Sequence, residues 1–137
     1  MIYYSKSEED TYNFAKTLAD RVKEGDIFLI EGELGTGKSV FVRGLARALG
    51  VSEAMPSPTF TIVNEYKAKH LIYHFDFYRI NDPFELYEIG FEDYIYSKGI
   101  SFVEWPSKCG DLLPKNAIKI NINFKGDGRE IIIEWTK

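Results

Sequence analysis

The sequence is poor in cysteine and has no excess of basic charge. Among its 137 residues there are one cysteine, Cys109, and two histidines. A single thiol excludes a disulfide framework and a four-cysteine zinc site, and it is typical of a reducing compartment. Lysine and arginine number 17 against 21 acidic residues, which gives a net charge of −4. Nucleic-acid binders usually carry a basic stripe, so direct binding of DNA or RNA is disfavoured.

Long hydrophobic runs are also missing. No apolar run approaches the ~18 residues that a membrane span requires. The opening sequence MIYYSKSEED has neither the basic region nor the apolar region of a signal peptide. No repeat, low-complexity tract or linker divides the chain, and 137 residues is a usual length for one domain. We therefore expect one cytoplasmic domain over residues 1–137, with no membrane association.

Turn residues and hydrophobic spacing divide the chain into alternating elements. Ser7 is a suitable cap for a first helix, in which apolar residues recur every four positions until Gly25. The later segments read as two strands of a hairpin, one or two short helices, a buried strand and a second hairpin. The expected strands are Asp26–Ile30, Phe60–Tyr66, Leu71–Tyr78, Ile100–Val103, Ile118–Phe124 and Arg129–Trp135, and the expected helices after the first are Lys38–Leu49 and one or two within Pro83–Ser97. This order predicts an α/β fold with a mixed, parallel and antiparallel sheet flanked by helices and a C-terminal β-hairpin.

A glycine-rich loop lies between the first buried strand and the second helix. Residues 32–39, GELGTGKS, fit the pattern G-x-x-x-x-G-K-[ST] without a gap. Glycines let consecutive N–H groups point at phosphate oxygens, and a helix N-terminus favours the same anion. In such a loop Lys38 would neutralise the β- and γ-phosphates and the Ser39 hydroxyl would bind Mg²⁺. The alternative is a plain glycine-rich turn with a surface lysine.

A phosphate loop of this kind needs a carboxylate nearby to hold the magnesium ion. Two are candidates: Glu104 closes the apolar run Ile100–Val103, and Asp76 lies within the strand Leu71–Tyr78. Each also has a structural alternative. Glu104 would then be an exposed charge at the sheet edge, and Asp76 would pair with Arg79 or His74.

The histidines, a proline-containing loop and an acidic stretch are each considered for a functional role. A zinc site is poorly supported by two histidines and one cysteine. The prolines in Met55–Thr59 make a rigid loop, either a plain turn or a loop that senses nucleotide. Between Ile80 and Ser97 there are acidic residues but no lysine or arginine, which fits a solvated helix face or a docking patch for a basic partner.

Several segments together resemble the TsaE family, small bacterial ATPases of the pathway that makes threonylcarbamoyladenosine in tRNA. The matching segments are GELGTGKS (32–39), SPTFTIVNEY (57–66), YHFDFYRINDPFELYEIGFEDY (73–94) and VEWP (103–106). The resemblance implies a P-loop α/β domain that binds ATP and ADP with Mg²⁺ and hydrolyses ATP slowly. It implies that the protein acts as a nucleotide switch on the TsaB–TsaD pair, which modifies adenosine 37 of tRNAs that read ANN codons. Contact with tRNA would then be indirect, through that pair.

The resemblance also assigns residues by position. Leu34, Gly35, Thr36, Gly37, Lys38 and Ser39 would hold the phosphates, and Ser39 and Glu104 would bind Mg²⁺. Catalysis would fall to Lys38, Glu104 and Asp76, with Asp76 near the γ-phosphate. The switch and partner contacts would be Ser57, Pro58, Thr59, Tyr78, Arg79 and Trp105, and Glu8 and Arg129 would line the base side. Many members carry threonine where this chain has Ser39, which still supplies a hydroxyl.

Two other functions fit a phosphate loop. A small-molecule kinase would need a lid and a cluster of arginines. The chain has five arginines spread along its length and no evident lid insertion. A nucleotide-binding module without hydrolysis would carry the same motif, so the sequence leaves that alternative open.

Overall fold

The computed structural model describes residues 1–58 and 61–136 of the chain. These residues form seven strands and four α-helices. The strands are β1 (Ile2–Ser5), β2 (Ile27–Glu31), β3 (Val63–Lys67), β4 (Leu71–Asp76), β5 (Ile100–Glu104), β6 (Ile118–Lys125) and β7 (Gly128–Glu134). The α-helices are α1 (Glu8–Lys16), α2 (Lys38–Ala48), α3 (Glu85–Glu88) and α4 (Phe91–Ile95), and 3₁₀ turns cover Ala19–Arg21 and Pro106–Leu112.

All seven strands form one sheet in the order β1-β7-β6-β2-β5-β4-β3. The centre is parallel, because β2 pairs with β5 and β6, and β4 pairs with β5. Both sides are antiparallel: β3 pairs with β4, and β7 pairs with β6 and β1. The predicted mixed sheet and its C-terminal hairpin are confirmed. The parallel centre places the carboxyl ends of β2, β4 and β5 at one edge, where ligands bind in open α/β sheets.

Alternation along the strands gives the sheet two buried faces. One face, with Phe28, Ile72 and Phe102, packs against α1 and α2. The other, with Phe75 and Val103, packs against α3 and α4. Because β4 and β5 are covered on both faces, a polar side chain on either strand is removed from solvent and needs a hydrogen-bonding partner.

Helices α1 and α2 cross at very short range. A Cβ atom on Gly44 of α2 would lie 2.4 Å from the carbonyl oxygen of Tyr12 in α1. Only glycine fits this crossing without a shift of backbone. The contact fixes the position of α1 relative to the helix that follows the glycine-rich loop.

The structure differs from the sequence prediction in several element bounds. The first helix ends at Lys16 and continues as a 3₁₀ turn, because the Thr17 N–H and hydroxyl both bond to the Phe14 carbonyl. The predicted strand Leu71–Tyr78 ends at Asp76, where the chain leaves the sheet. The described part of the predicted strand Phe60–Tyr66 becomes extended only at Val63, and Ile62 has a left-handed backbone, with φ of 70°. Strand β1 was not predicted.

Within residues 1–58 and 61–136, no helix combines the length and apolar character needed to cross a membrane.

Candidate functional site

The glycine-rich loop connects β2 to α2 at the carboxyl edge of the sheet. Gly37 caps α2 with φ of 101°, a left-handed backbone conformation that is strained for any residue other than glycine. Gly32 lies against β6, where a Cβ atom would be 2.4 Å from the Ile122 carbonyl oxygen. Both glycines are therefore required by the backbone path. The resulting loop opens onto the N-terminus of an 11-residue helix, whose free N–H groups attract anions.

Lys38 is folded into this loop. Its side chain is only 5% exposed, and its ammonium donates to the carbonyl oxygens of Gly32 at 2.8 Å and Glu33 at 2.9 Å. Burial lowers the pKa of Lys38, and the nearby carboxylates of Glu104, Asp76 and Glu31 partly oppose that shift. The burial and these bonds contradict the alternative of a surface lysine on a plain turn.

Glu104 ends β5 beside the first turn of α2. Its carboxylate Oε2 accepts a hydrogen bond from the Ser39 hydroxyl at 2.7 Å and lies 2.5 Å from His74 Nε2. The residue is 3% exposed, so the alternative of an exposed charge at the sheet edge is contradicted. The motif serine and the predicted strand-end carboxylate therefore meet directly, although 65 residues separate them in the chain.

Asp76 ends the neighbouring strand β4 and is paired in register with Glu104. Its Oδ1 accepts the backbone N–H of Tyr78 at 3.0 Å, which turns the chain out of the sheet. The residue is 6% exposed. Two acidic side chains thus lie side by side at the carboxyl edge, close to one lysine. Such a set is poor in positive charge for a site that would hold phosphates.

The residue after Glu104 closes one wall of the site. Trp105 has φ of 60° and ψ of 51°, a left-handed conformation for a non-glycine residue. Its ring lies 4.1 Å from the Lys38 ammonium and 5.0 Å from the Tyr78 ring. The ring therefore connects the buried lysine to Tyr78, which is exposed at the surface.

These residues surround a cavity of about 350 Å³ at the carboxyl edge of the sheet. It is lined by Glu8, Leu34, Gly35, Gly37, Lys38, Ser39, Val40, Ser57, Asp76, Tyr78, Arg79, Glu104 and Trp105. Of the residues predicted to line the phosphates and the base side, Thr36 and Arg129 line an adjoining cavity of about 80 Å³, which shares Glu8 with the first. Arg129 also donates to the Gly35 carbonyl oxygen at 3.3 Å, so the second hairpin contacts the glycine-rich loop.

The predicted switch loop is partly described. Ser57 reaches the cavity, whereas Pro58 is buried and its carbonyl accepts the Ile62 N–H at 2.6 Å. Thr59 lies outside the described residues. Within the described part of this loop, Ser57 is the residue that lines the cavity.

Sequence reasoning missed two contacts. His74 was considered only as a zinc ligand or as a partner of Asp76, but its Nε2 contacts Glu104. Its position two residues before Asp76, on the same strand face, was the available signal. Lys108 donates to the carbonyl oxygens of Tyr78 at 3.3 Å and Ile80 at 3.1 Å, which holds the loop after β4. No local pattern marked that lysine.

The oxygen donors of the site suit a hard divalent cation. The Ser39 hydroxyl and the Glu104 carboxylate are ligands of the kind Mg²⁺ prefers. Among the residues that the structure describes, no group of three or more His, Cys, Asp or Glu side chains could hold a metal by itself. A metal here would complete its coordination with phosphate oxygens and water, as Mg²⁺ usually does.

A strand, a glycine-rich loop and a helix, set in a mixed seven-stranded sheet with helices on both faces, define a protein of the α/β class. Comparison with protein families narrows this class. The model of the family "Threonylcarbamoyl adenosine biosynthesis protein TsaE" matches residues 5–135. The chain therefore belongs to the TsaE family and is involved in the biosynthesis of threonylcarbamoyladenosine in tRNA. The family resemblance seen in the sequence is confirmed.

Individual relatives agree with this membership. The TsaE protein of Bacillus subtilis is 40% identical over 125 residues, which cover 90% of this chain and 78% of the relative. The TsaE protein of Treponema pallidum is 33% identical and covers 94% of this chain and 96% of its own length. Among solved structures, the crystal structure of Bacillus subtilis YdiB superposes with a TM-score of 0.84 at 31% identity, covering 100% of this chain and 86% of that one.

Proposed function

We propose that the protein is a cytoplasmic ATPase that binds ATP or ADP with Mg²⁺ and hydrolyses ATP slowly. We propose further that its nucleotide state switches the TsaB–TsaD pair during formation of threonylcarbamoyladenosine at adenosine 37. One observation carries the proposal: Lys38, Ser39, Asp76 and Glu104 converge on a single cavity at the glycine-rich loop. These four side chains are of the types that hold a nucleotide triphosphate and its magnesium ion, which supports a nucleotide-dependent role in this pathway.

Phosphate binding follows from the loop and the helix. Backbone N–H groups from Leu34 to Ser39 would face the phosphates at the N-terminus of α2. Lys38 would exchange its bonds to the Gly32 and Glu33 carbonyls for phosphate oxygens. Glu8 and Arg129, at the far side of the loop, would line the base side of the nucleotide.

The balance of charge explains the expected need for Mg²⁺. Asp76 and Glu104 flank the one lysine of the phosphate loop, so a triphosphate would enter an acidic site. When bound, Mg²⁺ supplies positive charge at the β- and γ-phosphate oxygens. Ser39 and Glu104 would hold it, and Asp76 would orient the attacking water or a metal-bound water near the γ-phosphate.

The switch is proposed to pass through Trp105. Its ring contacts Lys38 on one side and Tyr78 on the other. A phosphate that draws Lys38 away would therefore change the packing of Trp105 against an exposed aromatic residue. Tyr78 and Arg79, both exposed beside the cavity, would carry this change to the TsaB–TsaD pair, together with Ser57, Pro58 and Thr59.

A small-molecule kinase is less well supported. Of the five arginines, only Arg79 lines the main cavity and Arg129 the adjoining one. Kinases of this fold use several arginines and a lid to exclude water. A binding module without hydrolysis has the same geometry and is distinguished by experiment.

The first experiment measures ATP hydrolysis by the purified protein with Mg²⁺, alone and with the TsaB–TsaD pair. The proposal expects slow hydrolysis alone and a clear rise when the pair is added. Tight nucleotide binding without hydrolysis in either condition would favour the binding module. Phosphate transfer to an added metabolite, with no free phosphate released, would favour the kinase.

Two variants separate binding from chemistry. Lys38→Ala should lose ATP binding, since it removes the buried cation of the loop, and unchanged affinity would contradict the phosphate-loop assignment. Asp76→Ala should keep nucleotide binding but lose hydrolysis and pathway activity. Full pathway activity in Asp76→Ala would remove the proposed catalytic role of Asp76.

A further inference from the structure

His74 is a buried histidine in direct contact with a candidate magnesium ligand. It lies on β4, is 1% exposed, and its Nε2 is 2.5 Å from Glu104 Oε2. It shares a strand face with Asp76, two residues further along, and is paired in register with Phe102 on β5. The imidazole therefore lies immediately below the two carboxylates, on the core side of the cavity.

The hydrogen-bonding pattern assigns the proton of this imidazole. His74 Nδ1 is buried and has no hydrogen-bond partner among the described residues. A buried N–H without a partner is more costly than a buried lone pair without one. The favoured tautomer therefore carries the proton on Nε2 and donates it to Glu104.

Both contacts of the Glu104 carboxylate described above use the same oxygen. Oε2 accepts from the Ser39 hydroxyl as well as facing His74 Nε2. With Oε2 held between two donors, the carboxylate plane has a defined rotation. The other oxygen, Oε1, is then the one directed to a metal or a metal-bound water.

The neighbouring charge gives this restraint a purpose. Asp76 is the register partner of Glu104, and two adjacent carboxylates repel each other. Without the donor from His74, Oε2 would be held by the Ser39 hydroxyl, one donor in place of two, and Glu104 would rotate more easily away from Asp76 and from the metal position.

We propose that His74 is a positioning residue, which orients Glu104 for Mg²⁺ through an Nε2–H···Oε2 hydrogen bond. The proposal rests on the proposed function, because it assumes that Glu104 serves a nucleotide-bound magnesium ion. It assigns His74 no contact with nucleotide. His74 should therefore affect metal affinity and leave metal-free nucleotide binding unchanged.

Three variants test the proposal. His74→Leu removes the donor, and His74→Gln keeps an amide N–H near the position of Nε2. His70→Gln is the matched control, because His70 is the other histidine of the chain and lies at the surface near Glu24. Calorimetry would measure ADP affinity without metal and then the Mg²⁺ concentration that gives half-maximal tightening. Thermal melting of each variant would check folding.

We expect His74→Leu to raise that Mg²⁺ concentration by about 10-fold or more, the usual effect of losing a partner behind a metal ligand. His74→Gln should recover most of the loss, and His70→Gln should match the wild type. An unchanged Mg²⁺ requirement in folded His74→Leu would overturn the proposal. So would an equal loss of metal-free ADP affinity, since this would indicate a merely structural role.

A spectroscopic readout on the wild type is independent of nucleotide and of the folding of the His74 variants. Proton NMR of the wild type should show one exchange-protected imidazole N–H, shifted downfield by the carboxylate. It should shift in Glu104→Gln and persist in His70→Gln. The absence of this signal from the wild type would overturn the inference about His74. Failure of the wild type to bind Mg²⁺ and ADP would instead contradict the proposed function, while the N–H signal would still be present.

Discussion

Replacing Trp105 by glycine and, separately, by alanine tests the backbone strain beside the glycine-rich loop. Both substitutions remove the indole, and with it the contacts to Lys38 and Tyr78, so these losses cancel in the comparison. The two variants differ only in the Cβ atom and in the freedom of the unfolded chain. The φ of 60° and ψ of 51° at this position are those of the left-handed helix.

The magnitude follows from two opposing terms. A left-handed conformation costs a non-glycine residue roughly 1–2 kcal/mol. Glycine loses about 0.4–1 kcal/mol relative to alanine through its more flexible unfolded state. The free energy of backbone strain exceeds the entropic cost of glycine, so Trp105→Gly should be more stable than Trp105→Ala by about 0.5–1 kcal/mol, or about 2–4 °C in melting temperature.

Urea denaturation and thermal melting of the two variants measure this difference. The matched controls are Lys119→Ala and Lys119→Gly, at an exposed position in β6. There the alanine variant should be more stable than the glycine variant by about 0.5–1 kcal/mol. The order of stability should therefore reverse between the two positions. A Trp105→Ala protein as stable as Trp105→Gly would refute the argument from strain.

Three further predictions concern other parts of the fold. Gly44→Ala should lower the melting temperature, because overpacking against the Tyr12 carbonyl costs about 1–3 kcal/mol and exceeds the helix-propensity gain of about 1 kcal/mol; a higher melting temperature would contradict this. Burial raises the pKa of the Cys109 thiol to about 12, so iodoacetamide should modify this thiol only after unfolding, as followed by mass spectrometry. Rapid labelling of the folded protein would be inconsistent with the burial of Cys109. The Tyr3 hydroxyl lowers the pKa of Asp10 below its ordinary 3.8, so the stability that Asp10 contributes is present above that pH and lost below it. The melting temperature of Asp10→Asn should therefore fall below that of the wild type at pH 7 and converge with it in acid, and a constant gap at every pH would count against the hydrogen bond.

The elements around the glycine-rich loop could be predicted from sequence because their signals are local. A short apolar run, a glycine-rich turn and an amphipathic helix follow one another, and the predicted strand Asp26–Ile30 differs from β2 by one residue at each end. Glu104 was placed at a strand end for the same reason. The contact between Ser39 and Glu104 needed one more step, the general rule that parallel strands share a carboxyl edge.

The parts that could not be predicted depend on distant partners. Strand β1 is four residues long, two of them exposed, and it becomes a strand only by pairing with β7. The contact of His74 with Glu104 depends on β4 and β5 being parallel neighbours, whereas sequence reasoning considered only partners close to His74 in the chain. The periodicity of the first helix continued beyond Lys16, but it could not distinguish a 3₁₀ turn from another turn of α-helix.

The pairing of β1 with β7 also sets an order of events during synthesis. Ile2 pairs with Ile132, which leaves the ribosome 130 residues later. Until then β1 has no strand to pair with, so α1, which follows β1 and carries Glu8 of the cavity lining, is not yet attached to the sheet through it. By that time β2, the glycine-rich loop and α2 have long been synthesised. Contacts between such distant segments form late. The glycine-rich loop would thus be synthesised long before its final contacts form, since Gly32 itself lies against Ile122 in β6, and the cavity would be completed only when the last hairpin folds.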